Sequence, residues 1–140
     1  MDTREELKKI KTEAEEQKNK ERKEREEKRR ETEKLIDNVA ENFSKYVVSY
    51  FIEKRIAECN FEIILGWTQA KSPFNDARRI TKEFVRIYNS LGSKEEKDYF
   101  FDSLKKKTKE KGILFENKFI FGGDFFFSAP DKYKVRFSII

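Results

Sequence analysis

The chain has 140 residues, 42% of them charged and 36% apolar, with a formal net charge of +5 and no histidine. That length fits one domain, and the missing histidine excludes a Ser-His-Asp triad, a Cys-His pair, an imidazole base and every histidine-containing metal site. Cys59 is the only cysteine, which excludes an intrachain disulfide and a four-cysteine zinc site and leaves a thiol read as a small buried hydrophobe.

Residues 1–34 hold 13 Lys/Arg and 12 Asp/Glu and read as a charged arm, separate from a compact domain over 35–140. Pairs at i and i+4 recur (Glu5/Lys9, Glu16/Lys20, Glu21/Arg25, Glu24/Lys28, Glu26/Arg30) and favour a helix. Between Ala14 and Leu35 there is no apolar residue, so no coiled-coil seam exists there. The arm is either a single solvated helix, about 30 Å long over that gap, or a frayed, disordered segment. Near its tip Leu7, Ile10 and Ala14 recur at i, i+3 and i+7, a short apolar stripe suited to docking a protein partner. The N-terminus carries no apolar leader and no uncharged run is long enough for a bilayer, so a soluble cytoplasmic protein is expected, with no membrane association. Abundant Lys, Ile, Phe and Asn suit an AT-rich genome such as that of a low-GC bacterium or its phage; if phage-encoded, the protein would act in the host cytoplasm.

From Leu35 the pattern changes. Leu35/Ile36, Val39/Ala40, Phe43, Val47, Tyr50/Phe51 and Ala57 predict an amphipathic helix over 35–58, ended by Asn60. Phe61 to Trp67 is rich in β-formers and predicts the first strand. Ser72-Pro73 supplies a cap and a first-turn proline for a helix over 73–91, with Ala77, Ile80, Phe84, Ile87/Tyr88 and Leu91 inward. Ser93-Lys94-Glu95-Glu96 is a capping box for a helix over 94–111, with Tyr99/Phe100 and Leu104 inward and Gly112 at its end. Residues 113–121, 125–129 and 133–139 predict a three-stranded antiparallel meander, with Gly122, Gly123 and Asp124 in the first turn and Pro130-Asp131 in the second. Tyr133, Val135, Phe137 and Ile139, with Phe119, Phe121, Phe125 and Phe127, are assigned to the core face. Lys118, Ile120, Phe126, Lys134 and Arg136 share the other. Trp67 and Phe125–Phe127 read as core. The fold expected is α+β: a mainly antiparallel four-stranded sheet, from 61–67 and 113–139, against helices 35–58, 73–91 and 94–111.

No catalytic residue, metal ligand or cofactor loop is identified. A non-enzymatic binding protein is therefore expected, an accessory or regulatory factor of a phage or other mobile element, engaging a protein partner through Leu7, Ile10 and Ala14. The alternative is nucleic-acid binding. Arg78, Arg79, Lys82 and Arg86 fall on one helix, and Lys105, Lys106, Lys107, Lys109 and Lys111 close the next. Lys118, Lys134 and Arg136 would join them, with Phe126 as a stacking residue. A third reading takes Glu116-Asn117-Lys118 with Glu62 as a metal-dependent nuclease site. The run of helix, helix and hairpin from residue 73 resembles a winged helix-turn-helix in element order only, with helices longer than that motif needs and an aromatic wing with an acidic tip. Gly122-Gly123-Asp124-Phe125 resembles the hairpin signature of diguanylate cyclases without their glutamate, and is read as a turn.

Overall fold

The structure is a computed structural model that describes residues 2–140 except Phe74 and residues 124–128. Its elements are α1 (Thr3–Lys54), β1 (Glu58–Leu65), β2 (Ala70–Lys71), α2 (Arg79–Ser90), α3 (Lys94–Glu110), β3 (Ile113–Ile120) and β4 (Lys132–Ile139). The chain divides into two units, residues 1–35 and 36–140.

The first unit is helical. Asp2 opens it: its carboxylate accepts from the Arg4 amide at 3.2 Å and its carbonyl from the Glu5 and Glu6 amides, satisfying donors that a helix N-terminus leaves orphaned. Glu21–Arg25 and Arg29–Glu33 pair along the helix at 3.8 and 3.5 Å. All side chains from Asp2 to Glu31 are exposed.

The second unit is α+β. Its sheet runs in the order β2-β1-β4-β3 with every pairing antiparallel. Strand alternation sends Cys59, Phe61, Ile63, Ile113, Phe115, Val135 and Phe137 to one face, where all are buried, because successive side chains of a strand point to opposite sides. The three helices of this unit lie on that face. Phe84 of α2 is the hub, its ring within 6.3 Å of Phe43, Phe61, Phe100, Phe101 and Phe115. Offset and edge contacts of this kind add to the area that aromatic side chains bury.

Several elements differ from the expectations. The helix predicted over 35–58 stops at Lys54, where Arg55 takes a positive φ of 54°, and the strand begins at Glu58 because inward Cys59 extends the period-two pattern of Phe61 and Ile63. Asn60 is thus a strand residue, opposite Arg136. The buried helical stripe is Ile36, Ala40, Phe43, Ser44, Val47 and Phe51; Leu35 and Val39, one position away, are exposed. Ser72-Pro73 does not start α2, which begins six residues later. Asp76 governs that entry, accepting from the Arg78 amide at 3.1 Å and from the Thr81 hydroxyl at 2.9 Å.

The capping box at Ser93 forms, with Ser93 Oγ accepting from the Glu96 amide at 3.2 Å, while the Glu96 carboxylate accepts from the Gly92 amide at 2.7 Å. Gly112 follows the helix at φ 85°. β3 pairs directly with β4 from Ile113↔Ile139 to Ile120↔Lys132, so no strand lies between them. Of the middle strand predicted over 125–129, residues 125–128 lie outside the described residues, as does Asp124 of the predicted turn; the fourth strand of the sheet is β2. The neighbouring Gly122 is required, since a Cβ there would lie 1.7 Å from the Ala129 carbonyl oxygen. The β3–β4 pair is built into the same sheet as β1, and so is not a detached wing. Ile139, Phe119 and Phe121 are exposed rather than core, although the Phe119 ring meets Tyr133 edge-on at 5.4 Å. The covered part of β3 is its Ile113–Phe115 end.

Candidate binding surfaces

The predicted site residues fall on four separate surfaces. On the first unit Leu7 and Ile10 are 61% and 60% exposed, and Ala14 is exposed beside them. Among the described residues of this unit nothing covers these three apolar side chains, whose neighbours along the helix are polar or charged.

The second surface is a groove between α1 and α2. Val39, Asn42, Phe43 and Tyr46 line one wall, and Arg79, Lys82, Glu83, Arg86 and Ile87 the other. Arg79 and Lys82 have no carboxylate within ion-pair distance among the described residues, whereas Arg86 donates through Nε and Nη2 to the Glu83 carboxylate. That pairing holds Glu83 below its ordinary carboxylate range and raises Arg86.

Arg78, predicted to share this surface, is withdrawn from it. Its Nε and Nη2 donate to Asp76 Oδ1 and Oδ2 at 3.1 and 2.9 Å, Nη2 also donates to the Asn60 carbonyl, and its guanidinium lies 5.9 Å from the Phe61 ring centroid. The clamp ties the α2 entry to β1. It depresses the Asp76 carboxyl, chiefly through the Arg78 side-chain hydrogen bonds, against the opposing effect of burial. Burial pushes the neighbouring Cys59 thiol up.

On α3, Lys105, Lys106 and Lys109 are exposed. Lys111 is engaged instead, 2.9 Å from Glu41 of α1, and Lys107 lies near enough to help lower that carboxyl. The same helix is fixed to α1 by Asp37, whose carboxylate accepts from Ser103 Oγ at 2.6 Å and Tyr99 Oη at 3.0 Å.

The outer face of the sheet carries Lys118, Lys134 and Arg136, opposite to the face that receives the helices. These cations therefore cannot join α2 and α3 in one footprint. Arg136 lies between Glu58 at 3.2 Å and Glu116 at 3.8 Å, and Lys132 pairs with Glu62 at 3.1 Å. Lys118 stands directly opposite Lys134. Phe126, the proposed stacking residue of this face, lies outside the described residues. Glu62 and Glu116 sit on β1 and β3 with β4 between them, opposite Lys134 and Arg136 respectively, so two strand spacings and a two-residue offset put their backbones about 12 Å apart, and each is engaged by a cation. Both carboxylates line one concavity of this face together with Lys118 and Lys134. Among the described residues no group of three Cys, Asp or Glu side chains is placed to hold a metal ion.

Trp67, expected in the core, is 106% exposed, at the tip of the β1–β2 hairpin. The Gly66 amide donates to the Gln69 carbonyl at 3.0 Å. Asn89 of α2 acts as a short strand edge for β2: its Oδ1 accepts from the Ala70 amide at 2.7 Å and its Nδ2 donates to the Ala70 carbonyl at 2.9 Å. Gly66 before a short polar run was the signal for this turn.

Among the described residues no helix is long and apolar enough to cross a membrane. Compared with known proteins, the chain matches no family model, no curated protein and no solved structure.

Proposed function

We propose that the chain is a non-enzymatic cytoplasmic binding protein that engages a protein partner through its helical arm. The observation that carries this reading is the exposure of Leu7 and Ile10 on a helix where, among the described residues of this unit, nothing buries them. Covering one such side chain stabilises a complex by about 1.5–3 kcal/mol, and an apolar stripe at i, i+3 and i+7 is the pattern with which a helix enters a partner's groove. Within the arm, the charged stretch that follows is free of apolar residues from 15 to 34, which confines the arm's apolar contact to Leu7, Ile10 and Ala14.

A photo-cross-linking residue at position 10, in cells that make the protein, identifies the partner, which is then purified and titrated against the full chain. Leu7→Glu/Ile10→Glu should weaken that binding at least about tenfold, the loss of roughly 1.4 kcal/mol, while Lys82→Glu/Arg86→Glu leaves it within about twofold. Equal binding by the arm variant and the wild type would overturn the reading.

A further inference from the structure

The groove between α1 and α2 lies wholly within residues 36–140 and takes no part in the proposed arm contact. Its volume is about 560 Å³, within the range of clefts that take small ligands or pieces of longer ones. On the α2 wall Arg79, Lys82 and Arg86 follow one another at steps of three and four, so they form a row about 10 Å long. Arg79 and Lys82 leave their charge unspent among the described residues, and Arg86 is held in place by Glu83. The facing wall differs in kind: it presents the amide of Asn42, which is exposed, and the ring of half-buried Tyr46. The Tyr46 ring is steadied by Phe43, 6.0 Å away between centroids.

We infer that this groove binds single-stranded nucleic acid, with phosphates along Arg79, Lys82 and Arg86 and a base lodged against Tyr46 and Asn42. The row of cations matches a repeating negative charge. A positively charged groove beside an aromatic ring is the arrangement by which single strands are held without a fixed sequence, and an amide adds donors and an acceptor for a base edge. Double-stranded DNA is read by an element that projects into one of its grooves; here the cations line a concavity, which accepts a chain with splayed bases. An acidic amphipathic helix would also meet the cations, but it needs several apolar anchors, and among the described residues of the lining Val39 is the only exposed aliphatic side chain. Glu83 opposes anions, and its engagement by Arg86 offsets that charge, so the open positive charge of the row is that of Arg79 and Lys82.

The test is fluorescence anisotropy with labelled oligodeoxythymidylate and oligouridylate of about 16 nucleotides, a duplex of the same length, and an oligoglutamate peptide, each titrated with the full chain. The single strands should bind at least about tenfold more tightly than the duplex and the peptide, and lose at least about tenfold between roughly 50 and 200 mM salt. Lys82→Glu/Arg86→Glu should abolish binding. Tyr46→Ala should weaken it about tenfold and Tyr46→Phe hardly at all, because stacking needs the ring and not the hydroxyl. Lys105→Glu/Lys106→Glu on α3 should bind as the wild type does. Circular dichroism of each variant separates lost binding from lost fold. Absence of binding at low salt would overturn the inference, as would equal binding of the duplex or the peptide, or loss in the α3 variant with retention in the folded α2 variant.

Discussion

Arg78 and Asp76 meet side by side, Nε to Oδ1 at 3.1 Å and Nη2 to Oδ2 at 2.9 Å, and the same guanidinium reaches across to the backbone of β1 at Asn60. The pair therefore does two jobs. It positions the start of α2, whose orphan donors Asp76 partly satisfies, and it fixes that start to the sheet.

Removing the carboxylate leaves the buried Thr81 hydroxyl and the Arg78 guanidinium short of an acceptor. Asp76→Ala should lower stability by about 2 kcal/mol, with Asp76→Asn costing about half as much because it keeps an acceptor but not the charge. Urea unfolding followed by circular dichroism measures both. Values within about 0.5 kcal/mol of wild type for both variants would show the clamp to be dispensable.

The response to pH follows from the absence of histidine and from which groups the fold shifts. Asp76, Glu83, Glu58 and Glu41 are lowered by hydrogen bonds from Arg78, Arg86, Asn60 and Lys111 respectively. A carboxyl whose folded pKa lies below its unfolded value contributes stability that is present above the unfolded value and lost as pH falls through the folded one. At the other end, burial raises Cys59 from 9.0 and lifts Tyr88 from 10.0 to about 12. These groups favour the folded chain while protonated, and that preference is lost as pH rises through their folded values. The urea midpoint should thus be flat from about pH 5 to 9 and decline on either side. A transition centred between about pH 6 and 8 would contradict this.

Trp67 is the only tryptophan and lies at an exposed turn. Its emission should change little when urea unfolds the chain, even as the helical dichroism collapses, and Trp67→Ala should alter stability by no more than about 0.5 kcal/mol. A large red shift on unfolding would place the ring in an apolar setting, against the structure.

Local chemistry was legible wherever it decided the outcome alone. The alternation from Tyr133 to Ser138 and the Ser93–Glu96 box stand in the structure as read. The errors arise where a distant residue intervenes. Ser72-Pro73 is a sound helix start locally, but Asp76 and Arg78 set the start later through a bond to Asn60 on β1. At Leu35/Ile36 and Val39/Ala40 the periodicity admits two stripes one residue apart, and only packing selects Ile36 and Ala40. Cations could be recognised as residue types, yet nothing in the chain order separates Arg78, spent on Asp76, from Lys82, left open in a groove. Tyr46 and Asn42, some forty residues upstream of Arg86, face it only once α1 and α2 are packed.

The central claim is that the arm holds the partner and the α+β unit does not. Amide hydrogen exchange on the full chain, alone and saturated with the cross-linked partner, tests it most directly. The amides around Leu7, Ile10 and Ala14 should gain protection in the complex while those of α2 and α3 stay unchanged. Protection confined to residues 36–140, with the arm exchanging as in the free chain, would contradict the account.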